Sequence, residues 1–124
     1  MQIKEAADRL GLTQRRLRHY EQEGLLDIAR SDTGYRVFTE ADLRRAGRIR
    51  DLIASGFSTR ELRKMSDCLS DAGDAPCEGG IPLMRDKLAS IDRMRAELET
   101  RREAVLQRLA ALEQSLSRER ARAS

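Results

Sequence analysis

Ten residues in the last third of this chain recur at alternating spacings of four and three: Met84, Leu88, Ile91, Arg95, Leu98, Arg102, Val105, Leu109, Leu112 and Leu116. Eight of the ten are apolar, and no glycine or proline follows Pro82. A stripe that repeats every 3.5 residues over more than four heptads specifies one long helix with a narrow apolar seam, the pattern of a coiled coil. Pro82 suits the first turn of such a helix, where a backbone N–H would lack a partner anyway. From Pro82 to Leu116 the helix would measure on the order of 50–55 Å. No neighbouring segment offers a surface long enough to cover that seam. A partner helix is required, most simply the same helix of a second copy. Arg95 and Arg102 interrupt the seam, either as snorkelling stems or as charges that set register by requiring a carboxylate partner.

The remaining core must be built elsewhere. Only 3% of residues are aromatic, and Tyr20, Tyr35, Phe38 and Phe57 all precede residue 58. The 124 residues accommodate one small domain with an extended appendage. Charged residues make up 36% of the chain, and no apolar run approaches the ~20 residues of a membrane span. The start lacks a secretory layout, and two cysteines are too few for a disulfide scaffold. A cytoplasmic protein is the expectation, with no membrane partner. The net charge of +3 arises entirely within residues 1–70, which carry 14 Lys/Arg and 11 Asp/Glu; residues 71–124 carry 10 of each. A basic excess of that size is compatible with a polyanion partner without demanding one.

Within the first half, Ile3, Ala6, Ala7 and Leu10 share one helical face, and Gly11 supplies a left-handed stop. Thr13 is an N-cap for a second helix to about Glu23, with Leu17 and Tyr20 turned inward. Two short helices joined by such a turn form a helix-turn-helix unit. Residues 26–30 and 35–38 alternate around Ser31-Asp-Thr-Gly34, a short hairpin that reads as a wing. Thr39 opens a third helix to about Ser55, packing Leu43, Ala46, Ile49 and Ile53. Ser58-Thr-Arg-Glu61 is a capping box for a fourth helix to about Leu69. Three glycines and a proline mark residues 70–80 as a linker.

This order, with Ile3-Lys-Glu-Ala-Ala-Asp-Arg-Leu-Gly-Leu12, Leu17-Arg-His-Tyr-Glu21, Gly24-Leu-Leu26, Gly34-Tyr-Arg-Val-Phe38, Ile49-Arg-Asp-Leu-Ile53 and Gly56-Phe-Ser58 leading to Glu61-Leu62, resembles the MerR family of bacterial transcription regulators. The resemblance implies a mainly α fold: a winged helix-turn-helix DNA-binding domain over 1–70, a linker over 71–80, and a dimerisation helix over 81–124 paired as an antiparallel coiled coil. It implies a homodimer that binds a pseudo-palindromic promoter and distorts an over-long spacer so that RNA polymerase can engage it.

A helix entering a major groove needs donors for base edges and phosphates on its exposed side. On the second helix Gln14, Arg15, Arg18 and His19 lie outside the Leu17/Tyr20 face, Arg16 flanks it, and Thr13 with the helix N-terminus suits a phosphate. The resemblance further implicates Arg18, His19 and Tyr20 in DNA contact and assigns backbone contacts to Arg30, Tyr35 and Arg36 in the wing. Tyr20 also reads as a core residue that contributes only its hydroxyl.

Cys68 and Cys77 are the remaining candidates for chemistry. Incidental thiols, a redox or electrophile switch, and a thiolate-bound metal ion all fit two soft ligands beside a linker. Metal sensors of the resembled family use a further cysteine pair after the dimer helix, which this chain lacks; Cys68 lies near a cysteine of a thiol-reactive subgroup. No catalytic constellation appears: His19 is the only histidine, and neither a His-Glu-x-x-His pattern nor a Gly-rich phosphate loop is present. An enzyme is not expected. A coiled-coil adaptor whose winged domain is secondary is the alternative from another class.

Overall fold

A computed structural model describes residues 1–69 and 79–124. Cys77 and linker residues 71–78 lie outside the described residues. The chain forms two units, Met1–Met84 and Arg85–Ser124.

The first unit contains α1 (Ile3–Leu10), α2 (Gln14–Gln22), β1 (Ala29–Arg30), β2 (Arg36–Val37), α3 (Glu40–Ala54), α4 (Thr59–Arg63) and a 3₁₀ turn, Ser66–Leu69. The helix-turn-helix forms because its stop and start signals are adjacent. Gly11 adopts φ 66°, and its N–H together with that of Leu12 closes the α1 C-terminus on Asp8 and Ala7 carbonyls. Two residues later the Thr13 hydroxyl accepts the Arg16 N–H at 3.0 Å, satisfying a first-turn donor of α2. Arg50 on α3 donates to the Leu10 carbonyl at 2.7 Å and so caps α1 from outside.

Among the described residues, fifteen buried apolar side chains make one core. Ala6 and Ala46 are wholly buried; their small side chains let α1 and α3 pack closely. Leu17 and Tyr20 anchor α2, Ile28 and Phe38 anchor the wing, and Leu62, Met65 and Leu69 close the far side. The wing strands are two residues each, antiparallel, with Ala29 opposite Val37 and Arg30 opposite Arg36. Gly34 turns the hairpin at φ 88°, and Met1 adds two backbone hydrogen bonds to Phe38, at 2.7 and 2.9 Å.

The fourth helix differs from its sequence expectation. It stops at Arg63, and the chain tightens into i→i+3 bonds, Lys64 to Glu61 and Met65 to Leu62, before the 3₁₀ turn. The tightening still brings Met65 and Leu69 into the core at 3% and 0% exposure. Arg45 and Arg48 of α3 hold the turn through the Ser66 hydroxyl and the Leu69 carbonyl.

α5 runs from Gly80 to Ala123, 44 residues, or about 66 Å. It continues to Ala123 because Ser117 to Ala123 contain no breaker. In the first unit its Leu83 packs against the core. In the second unit every residue from Ile91 to Ser124 is exposed. The seam residues Leu88, Leu98 and Val105 stand at 59%, 60% and 66% exposure. Met94 and Leu106, outside the 4,3 series, are also exposed apolar residues on this helix. At 100° per residue, these two and the eight apolar seam residues fall within an arc of about 120°, and Arg95 and Arg102 lie inside it. Arg102 approaches Glu99 on its own helix at 4.0 Å. No helix among the described residues is long and apolar enough to cross a membrane.

Candidate nucleic-acid interface

The outward side of α2 is set by what its inward side must bury. Leu17 and Tyr20 are each 1% exposed, so residues on the opposite arc face solvent. Arg15, Arg18, His19 and Gln22 occupy i, i+3, i+4 and i+7 on that arc, and with Thr13 and Arg16 they line a concave surface. Arg15, Arg16 and Arg18 are exposed and make no side-chain hydrogen bond or ion pair among the described residues. Other arginines of the unit are committed: Arg9 to Glu40, Arg50 to Leu10 and Asp51, Arg63 to Glu23, and Arg45 to Leu25 and Ser66. Three free guanidiniums on one short helix form a concentrated donor surface for a planar or phosphate acceptor.

The other sequence candidates fall into distinct surroundings. Thr13 spends one hydroxyl lone pair on its cap and keeps its own O–H to donate. Gln14 is half-buried on the flank of α2 nearest Glu21 in helical angle. His19 Nε2 stands 3.8 Å from Glu23 Oε1. The structure places Tyr20 in the core rather than on the exposed face. Burial raises its phenol above the ordinary tyrosine value, against the smaller opposing pull of Arg16 and Arg50. Tyr20 therefore supports the interface from beneath. In the wing, Tyr35 is 62% exposed. Arg30 and Arg36, expected to contact the DNA backbone, both meet Glu21 of α2: Arg36 Nε donates to Oε1 at 2.9 Å, and Arg30 Nη2 lies 3.7 Å from the same oxygen.

Gln22 and Glu21 are the residues that sequence reasoning omitted. Gln22 sits four after Arg18 and seven after Arg15, so periodicity alone could have included it. Glu21 gave no such signal, because its role depends on where the hairpin folds back.

Cys68 is half-buried at the edge of the core and disulfide-bonded; among the described residues no cysteine is free. No three His, Cys, Asp or Glu side chains among the described residues group as a metal cluster would.

The family model for MerR HTH family regulatory proteins matches residues 1–68, the span that contains every helix, strand and turn of the interface just described. The chain belongs to the MerR family. It is a regulatory protein of that family and not an enzyme. An HTH-type transcriptional regulator of Haemophilus influenzae is 30% identical over 95 residues, covering 76% of this chain and 70% of its own. The HTH-type transcriptional regulator ZntR of Escherichia coli is 29% identical over 108 residues, 86% and 76% of the two chains. Among solved structures, HiNmlR, a MerR family regulator lacking the sensor domain and bound to promoter DNA, superposes with a TM-score of 0.60 at 28% identity. It covers 80% of this MerR chain and 75% of its own.

Proposed function

We propose that this MerR-family chain binds promoter DNA as a homodimer, each copy placing the exposed face of α2 in a major groove and the wing beside the neighbouring backbone. The observation that carries this reading is the set of uncommitted guanidiniums on α2. Arg15, Arg16 and Arg18 are exposed and unpaired among the described residues, while most arginines around them are tied down. Arg15 and Arg18, with His19 and Gln22, present donors toward base edges; Thr13 and the helix N-terminus suit a phosphate. The DNA-bound state of HiNmlR supports the same ligand for this chain.

Residues 1–70 are then the DNA-binding part and 81–124 the dimer helix. An unpartnered seam of eight apolar residues supports pairing with a second copy. Antiparallel pairing separates the Arg95 and Arg102 layers from their own copies, which parallel pairing would stack charge on charge. A two-fold dimer reads a pseudo-palindrome, and bending or untwisting of the DNA between half-sites is the step that lets RNA polymerase engage. The signal enters as thiol chemistry at Cys68. Its sulfur is disulfide-bonded here, and a soft metal ion would need the reduced thiolate.

A gel shift on the DNA upstream of the protein's own gene tests the function. Retarded complexes that weaken for Arg18→Ala are expected. Absence of any shift, with the chain instead forming complexes through α5 alone, would favour the adaptor reading.

A further inference from the structure

Arg30 and Arg36 stand directly opposite each other on the wing, and like charges in that relation repel. Both arginines point their guanidiniums at one carboxylate, Glu21 of α2, whose side chain is 21% exposed. The two contacts are unequal. Arg36 commits Nε to Glu21 at 2.9 Å and is 25% exposed; Arg30 reaches it only at 3.7 Å, is 48% exposed, and turns its other terminal nitrogen to the Gly34 carbonyl at 3.3 Å. The strands themselves supply two residues each, too few to fix a hairpin alone.

From this we propose that Glu21 is a positioning residue that latches the wing to the recognition helix, and that the two wing arginines divide the work. Arg36 stays on Glu21 and fixes the distance between wing and α2. Arg30, held loosely and largely exposed, leaves the carboxylate for a DNA phosphate. This deepens the promoter-binding reading and rests on it. It also separates residues that a charge-based reading treats alike, since only Arg30 exchanges a carboxylate for a phosphate.

The salt dependence of binding distinguishes the roles, because each phosphate contact adds about 0.9 to the slope of log K against log salt. Anisotropy titrations on the same upstream duplex would compare the intact chain with Arg30→Gln, Arg36→Gln, Arg36→Lys, Glu21→Gln and the Glu21→Gln/Arg36→Gln pair. Melting curves would confirm that each variant is folded. Arg30→Gln is expected to lower the slope by about one. Arg36→Gln is expected to weaken binding with the slope unchanged, and Arg36→Lys, which keeps the charge but not the Nε geometry, to recover only part of the loss. The double variant should lose about as much as either single variant, short of the product of the two losses by about threefold or more. Equal slope reductions for Arg30→Gln and Arg36→Gln, an unchanged slope for Arg30→Gln, or multiplicative losses for Glu21 and Arg36 would each overturn the latch. A wild-type chain that ignores duplex DNA at every salt concentration would overturn the promoter-binding reading with it.

Discussion

Arg45 and Leu25 are joined across the domain: the guanidinium Nε of Arg45, on α3, donates to the Leu25 carbonyl just beyond α2 at 2.6 Å. The same side chain reaches the Ser66 hydroxyl at 3.1 Å on the 3₁₀ turn. One planar fork therefore ties the exit of α2 to the segment carrying Cys68. Replacing it with alanine leaves a carbonyl beside Leu25, itself 1% exposed, without its charged donor. Arg45→Ala is expected to lower stability by about 1.5–3 kcal/mol, read as a shift in the urea midpoint. Arg45→Lys should restore only part, because an ammonium cannot span both sites.

Thr13 offers a smaller and more local test. Its hydroxyl caps α2 through the Arg16 N–H at 3.0 Å. Thr13→Ala should cost about 1 kcal/mol of stability, whereas Thr13→Ser keeps the oxygen and most of the cap. Urea unfolding measures the first effect. A parallel fall in DNA affinity for Thr13→Ala, absent in Thr13→Ser, would show that the start of α2 must be ordered to meet its ligand.

These two positions also mark how far the sequence could be read. Thr13 was legible because capping is local: the residue, the glycine before it and the apolar spacing after it all act within one turn. The Leu17/Tyr20 face and the seam from Met84 to Leu116 were legible for the same reason, since helical period alone sorts them. The Arg45 fork and the Glu21 latch were not. Each joins residues 15 to 21 positions apart, and nothing in the spacing distinguishes a committed arginine from a free one. The capping box at Ser58 correctly started α4. Its early end reflects tertiary packing, with Met65 and Leu69 drawn under α3 by a tighter turn.

Arg9 and Glu40 provide a pH signature. Arg9 Nη1 lies 2.7 Å and Nη2 3.1 Å from the two Glu40 oxygens, bracing α1 against the first turn of α3. The hydrogen bond from Arg9, with its charge, holds the Glu40 carboxyl below the usual carboxylate range despite an opposing desolvation effect. Since the folded-state value is depressed, the stabilisation is present at neutral pH and is lost as pH falls through it. Thermal melts should show wild type above Glu40→Gln at pH 7, with the gap closing in strong acid. Both side chains are well exposed, so added salt should narrow the gap as well.

The seam on α5 is tested by charge. Leu98 sits mid-seam at 60% exposure. If the seam is covered by a second copy, Leu98→Glu buries a carboxylate and should convert dimer to monomer in sedimentation velocity runs, leaving the fold of residues 1–69 intact by circular dichroism. Arg95→Leu should instead tighten self-association while admitting additional registers or larger species. Unchanged sedimentation for Leu98→Glu would place the dimer contact elsewhere.

An equilibrium titration of labelled upstream duplex against wild type and the Arg15→Ala/Arg18→Ala variant tests most directly whether the free arginines of α2 bind DNA. Neither side chain has a partner among the described residues, so the variant should melt with the wild type. Its affinity for the specific duplex should fall by about tenfold or more, at roughly 1–3 kcal/mol per base-reading arginine. Wild-type affinity in a fully folded double variant would contradict the assignment of this face to DNA.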